Sequence, residues 1–253
     1  MYALLAGRVA GWLAAWGRLG YWLASVARAF QDVATWGRLT PRQMRRIGVA
    51  SVPIALFIAA FTGIVLALQA SYTFTGTVPL YFVGTLVGKT IMLELGPVLT
   101  GLALAGRVGA NVAAELGTMR VTEQVDALET LAYDPLSYLV VPRVMAATLM
   151  FPFVVILAMA MGVLSGWLTA INLLDLSTAE FVRGLKLFYR FKDVWFGLVK
   201  SASFGLTIAL VGCLKGLSAT RGAEAVGRAT TDAVVVSAML ILVLDAFWAV
   251  LLL

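Results

Sequence analysis

From Ile47 to Gly88 the chain runs for 42 residues without a charged side chain. One helical bilayer crossing takes about 20 residues, so this stretch is too long for one span. Its centre, Ser71-Tyr-Thr-Phe-Thr-Gly-Thr-Val-Pro79, is polar and turn-prone and divides it. The expected spans lie at about 47–70 and 80–106, within the charge-free run Val144–Leu174 (about 144–171), at 194–214 and at 233–253. With 61% hydrophobic and 13% charged residues, against roughly 45–50% and 25% in soluble domains, the chain reads as an all-α integral membrane protein. Residues 1–46 form an interfacial amphipathic segment and 47–253 a five-span domain. The absence of histidine and the single Cys213 exclude an internal disulfide, a His/Cys metal cluster and a histidine-based triad.

The N-terminus does not read as a cleavable signal, because Arg8, Arg18 and Arg28 interrupt it. Val9, Trp12, Leu13, Trp16, Leu19, Leu23, Val26, Phe30 and Val33 fall on one helical stripe, with Arg18, Ser25, Arg28 and Asp32 opposite. Indoles at the boundary and arginines toward phosphates suit a helix in the headgroup plane, with Trp12, Trp16, Arg18 and Arg28 as anchors. Packing of the same stripe on the protein's own bundle is the other reading.

Seven of the 19 basic residues precede Ile47, so the net charge of +6 follows membrane orientation rather than nucleic-acid binding. An N-in, C-out arrangement puts thirteen basic residues in cytoplasmic segments and four (Arg183, Lys186, Arg190 and Lys192) outside. The outer segment 175–193, opened by Asp175 and Ser177, is expected to contain a short surface helix. GxxxG pairs at Gly84/Gly88, Gly162/Gly166 and Gly212/Gly216 fit close helix packing, within one subunit or across a dimer.

Between the second and third spans lies an acidic insert, residues 118–134. Val121, Val125, Leu128 and Ala132 recur at helical spacing, while Glu123, Asp126 and Glu129 occupy another face. A short amphipathic helix, too polar for lipid and cytoplasmic by the charge rule, suits docking by a soluble partner. Gly84-Thr-Leu-Val-Gly-Lys-Thr90 imitates a phosphate loop but has three residues between its glycines where four are needed. ATP must therefore bind another chain.

Polar residues within spans are functional candidates, because desolvating them is costly. They are Gln69, Lys89, Glu94, Lys200 and Asp245. Glu94 precedes Pro97, whose ring blocks a helical bond and frees the carbonyl of Leu93. It could line a wet cavity, bind a headgroup, carry a proton, or pair with Lys89 or Lys200. Lys200 and Asp245, nearer span ends, are expected to snorkel or to pair between helices. Ser201, adjacent to Lys200, cannot face it on a helix, so no nucleophile–base pair is available. Pro97 and Pro152 are expected to kink or open their helices.

Gly96-Pro-Val-Leu-Thr-Gly-Leu-Ala-Leu-Ala-Gly-Arg-Val-Gly-Ala110, then Ala114-Glu-Leu-Gly-Thr-Met-Arg-Val-Thr-Glu-Gln-Val-Asp-Ala-Leu128 and Asp134-Pro135, resemble the MlaE/YrbE family of ABC-transporter permeases. The likeness is densest over 94–147 and reaches Leu66–Gln69 and Arg228–Asp232. It implies a homodimer in a bacterial inner membrane, carrying cytoplasmic ATPase subunits that hold ATP and Mg, beneath an outer ring of MCE-domain subunits. The implied cargo is a phospholipid or related lipid. The insert 118–134 becomes a coupling helix through Met119, Arg120, Glu123, Gln124, Asp126 and Glu129. Gln69, Tyr72, Leu93, Glu94 and Pro97 fall near the implied lipid cavity. Where some members carry a basic residue before the glutamate, this chain has Leu93. No cofactor is expected in the chain itself. Two other classes compete: a secondary transporter using Glu94, for which no internal repeat is seen, and a lipid-modifying intramembrane enzyme, for which no nucleophile pair exists.

Overall fold

A computed structural model describes residues 2–74, 79–220 and 222–252, with the side chains of 2–12, Ala15 and Leu252 left aside. The side chains of Arg8, Val9 and Trp12, all of Arg221, and the centre of the 71–79 turn therefore lie outside the described residues. The described chain is almost entirely helical and contains no strand. Helix α1 (Tyr2–Ala29) turns at Asp32, whose carboxylate accepts from the Thr35 amide and caps α2 (Val33–Ile47). A single 3-10 turn, Val49–Ser51, joins α2 to α3 (Val52–Thr73).

The next column consists of α4 (Phe82–Thr90), α5 (Gly96–Leu104) and α6 (Ala110–Val121), spliced by π turns at Ile91–Leu95 and Ala105–Gly109. After α7 (Gln124–Thr130), a third π turn, Leu136–Val140, leads into α8 (Val141–Leu173). Then come α9 (Thr178–Leu187), α10 (Phe191–Leu217) and α11 (Gly222–Leu252). Five stretches are long and apolar enough to cross a membrane: Val33–Thr73, Phe82–Val121, Leu136–Leu173, Phe191–Leu217 and Gly222–Leu251. Each expected span lies inside one of them, apart from the first two residues of the second and the last two of the fifth. The first and second overrun most, starting at Val33 where 47 was expected and reaching Val121 where 106 was expected. Hydropathy marks the length that lipid must bury, whereas backbone hydrogen bonding carries the helix on beyond it.

Helix α8 is the central packing element, lying against α2, α3 and α10. Its Val144, Ala147 and Phe151 meet Phe204 and Ile208 of α10 in the main apolar core. Where α3 crosses α8, a Cβ on Gly63 would strike the carbonyl of Gly162. Lipid supplies no hydrophobic drive between helices, so close backbone approach has to hold this crossing. The Gly162/Gly166 pair thus serves contacts within one chain, as Gly84/Gly88 does toward α9 and Gly212/Gly216 toward α6. Cys213 is buried on α10 in the same core.

Three expectations need correction or refinement. The insert 118–134 is not one helix. It comprises the end of α6, a left-handed residue at Glu123 (φ 61°), the seven-residue α7, and a second left-handed residue at Ala132 (φ 63°). The 175–193 segment does contain a helix, α9, but it packs on α4, with Phe181 buried, instead of merely lying on the surface. Its capping box has Glu180 Oε2 accepting from the Ser177 amide (3.0 Å) and hydroxyl (2.7 Å), which holds the Glu180 carboxyl below its usual range. Pro152 leaves α8 unbroken, while the opening expected at Pro97 is present as the π turn ending at Leu95.

The N-terminal stripe divides between its two readings. Val26 is buried, Phe30 packs on the core and Ser137 Oγ lies 3.3 Å from the Ala29 carbonyl. Leu13, Trp16, Leu23 and Val33 face outward, as do Arg18 and Arg28. The end of α1 thus docks on the bundle, with Leu13, Trp16 and Leu23 exposed along the described part of the stripe before it.

Candidate functional site

The π turn at Ile91–Leu95 sets the geometry of the interior site. The Gly96 amide reaches back to the Ile91 carbonyl, and Pro97 has no amide to offer Leu93. The freed Leu93 carbonyl accepts from Lys200 Nζ at 3.3 Å, the use that the Pro97 argument left open. Lys200 also donates to Glu94 Oε2 at 2.8 Å and pairs with Asp245 Oδ1 at 2.5 Å. Only 3% of Lys200 is exposed, so it does not snorkel: it is the interhelical partner linking α10, α11 and the π turn. Lys89 pairs instead with Asp193, at 3.6 Å.

This triad contains one cation and two carboxylates. The Glu94 side chain is 43% exposed, so it is the triad's outlet to the surroundings. Pro97 is buried against Gly197 of α10, and Leu93 is half-buried. Both therefore support the triad and do not line an open surface.

A separate groove of about 450 Å³ runs between α3 and α5, lined by Phe57, Phe61, Val65, Gln69, Leu95 and Leu99 among others. Its walls are apolar, with the amide of Gln69 toward one end. Tyr72, one turn further along α3, is 85% exposed. Of the expected cavity residues, Gln69 lines this groove; Glu94 belongs to the triad, which Leu93 and Pro97 adjoin. Sequence reasoning missed Phe57, Phe61 and Val65. Their signal was a strict spacing of four leading to Gln69, which puts all four on one helix face.

The third candidate is the acidic segment. Glu123, Gln124, Asp126 and Glu129 are exposed and Met119 is half-buried, while Val125 anchors α7 in the core. Arg120 pairs with Asp126 across the left-handed break. A shallow recess of about 330 Å³ beside it is lined by Arg120, Val125, Glu129, Asp134, Pro135 and Leu136 together with Leu217. Behind this segment, Glu115 bridges Arg46 (2.7 Å) and Arg143 (3.1 Å), joining α6, α2 and α8.

Five membrane-length helices, interior charge pairs and a polar segment joining two spans define a polytopic helical membrane protein. The family model described as Permease MlaE matches residues 40–251, and the chain belongs to that family. Over 202 residues it is 44% identical to a probable ABC transporter permease protein of Rickettsia conorii, covering 80% of this chain and 78% of that one. A probable ABC transporter permease protein of Synechocystis is 41% identical over 210 residues, 83% and 80% of the two chains. The intermembrane phospholipid transport system permease protein MlaE of Haemophilus influenzae is 30% identical over 242 residues, 95% and 93% of the two.

Proposed function

We propose that this chain is the membrane subunit of an ABC system that moves phospholipid or a related lipid between the inner and outer membranes of a bacterium. The groove carries the reading: an apolar trough on the face of a membrane span, with a single amide toward one end, suits an acyl chain and the start of its headgroup. The Haemophilus relative, named for intermembrane phospholipid transport, supports the cargo class. The remaining parts follow from that reading. Two copies pair in the inner membrane with N-termini in the cytoplasm and C-termini outside, each with α1 in the headgroup plane. A ring of MCE-domain subunits stands over them.

Separate ATPase subunits, holding ATP and Mg, engage the segment 118–134. Exposed carboxylates at the left-handed Glu123 and beyond it, on Asp126 and Glu129, offer a charged grip, and Val125 transmits movement to the core. Charge reversal at Glu123 and Glu129 is expected to abolish lipid transfer in reconstituted vesicles while ATP hydrolysis and folding persist. Full transfer by that variant would sink the coupling assignment. Lipid bound to the purified complex, identified by mass spectrometry, tests the cargo, and Gln69→Leu is expected to lower its retention. The odd number of charges in the Lys200 triad favours a second reading, an ion-coupled carrier using Glu94. Transport by the chain alone, driven by a pH gradient, would select it.

A further inference from the structure

We propose that the cleft between α2 and the second π turn binds a phosphate group, that of an anionic lipid headgroup at the membrane boundary. The cleft is lined by Gln43, Arg46, Ile47, Arg107, Asn111 and Glu115, with Ser51 and two valines completing it. Arg46 is the last charged residue before the charge-free stretch of α2–α3. Arg107 is the first after the uncharged residues 95–106. Two arginines from different spans, each at the edge of an apolar stretch, thus meet at one depth. The π turn at Ala105–Gly109 carries Arg107 out of the column, where it is exposed.

The charges there do not balance. Glu115 is already held by Arg46 and Arg143, and Arg107 has no ion pair among the described residues. Two guanidiniums line the cleft and a third, Arg143, is buried against the same single carboxylate, leaving a surplus of two positive charges. Gln43 and Asn111 add amide donors. The enclosed volume, about 20 Å³, is near the room that one water molecule needs. It admits a phosphate oxygen and leaves the rest of a headgroup outside, over Arg107. Guanidinium forks match phosphate geometry, and basic pockets between spans at this depth collect lipid headgroups. A phosphate seated there would tie α2 to the junction between α5 and α6, one helix away from the segment 118–134. The site rests on boundary depth and not on the transport reading, so binding and transport can fail separately.

The test uses the full chain in phosphatidylcholine nanodiscs with and without phosphatidylglycerol, reading lipid retention by native mass spectrometry together with thermal stability. Arg107→Gln is expected to weaken phosphatidylglycerol retention about tenfold, equivalent to ~1.4 kcal/mol, with unchanged stability in phosphatidylcholine alone. Arg107→Lys should retain part of the effect, and Arg38→Gln, an exposed arginine elsewhere on α2, should retain all of it. Undiminished retention in Arg107→Gln, or an equal loss in Arg38→Gln, would overturn the site. An equal stabilisation by inorganic phosphate would overturn its assignment to lipid.

Discussion

At Lys200 one cation sits between two carboxylates; at Glu115 one carboxylate sits between two guanidiniums. The groups are opposite in charge and differ in depth. Lys200 is enclosed, and its partners come from the π turn and α11. In the second group the buried member is an outer one, Arg143, 3% exposed, while the Glu115 and Arg46 side chains are 29% and 57% exposed. A charge buried at the centre of its group depends wholly on its partners, whereas a boundary group can lean on water. Depth, more than the number of bonds, should therefore rank their contributions.

Removing the centre of the deep group tests this most severely. Lys200→Met leaves two carboxylates without their cation and is expected to cost about 3–5 kcal/mol, read as a large fall in unfolding temperature in detergent. Replacing Lys200, Glu94 and Asp245 together by apolar residues should recover most of that loss, and failure to recover would give the triad a packing role instead. Glu115→Gln is expected to cost less, about 1–3 kcal/mol, because Arg143 keeps its 2.5 Å bond to the Leu139 carbonyl. A cost equal to that of Lys200→Met would break the depth argument. Glu94→Gln should cost under about 1 kcal/mol, since Lys200 keeps Asp245; altered lipid retention in that variant would show that the exposed carboxylate reaches the cargo. Arg46→Gln, at the exposed end of the boundary group, should change the unfolding temperature least, within about 0–1 kcal/mol.

The difference between the groups also explains what could be read from the chain. The spans were legible because the absence of charge over 20 or so residues has one physical meaning. Glu94 and the freed Leu93 carbonyl were legible because proline chemistry is local. Lys200 was narrowed to one of two partners for Glu94, yet its burial was not seen, since hydropathy does not say which helix face points inward. Arg143 counted only toward orientation, because its partner Glu115 is distant in sequence and lies on another helix. The break at Glu123 was invisible for a different reason. Val121, Val125 and Leu128 keep helical spacing, and one left-handed residue alters the path of the chain without disturbing that count. The π turn at Ala105–Gly109 escaped likewise, although it presents Arg107, whereas the one at Ile91–Leu95 was signalled by Pro97.

The burial of Cys213 has a practical consequence. It is the chain's only thiol and is wholly enclosed in the core, so the natural sequence serves as its own blank for labelling reagents. A cysteine introduced at position 72 and another at 129 would carry the only reactive sulfurs. The distance between two dyes placed there could then follow the groove and the acidic segment, with the native cysteine left in place.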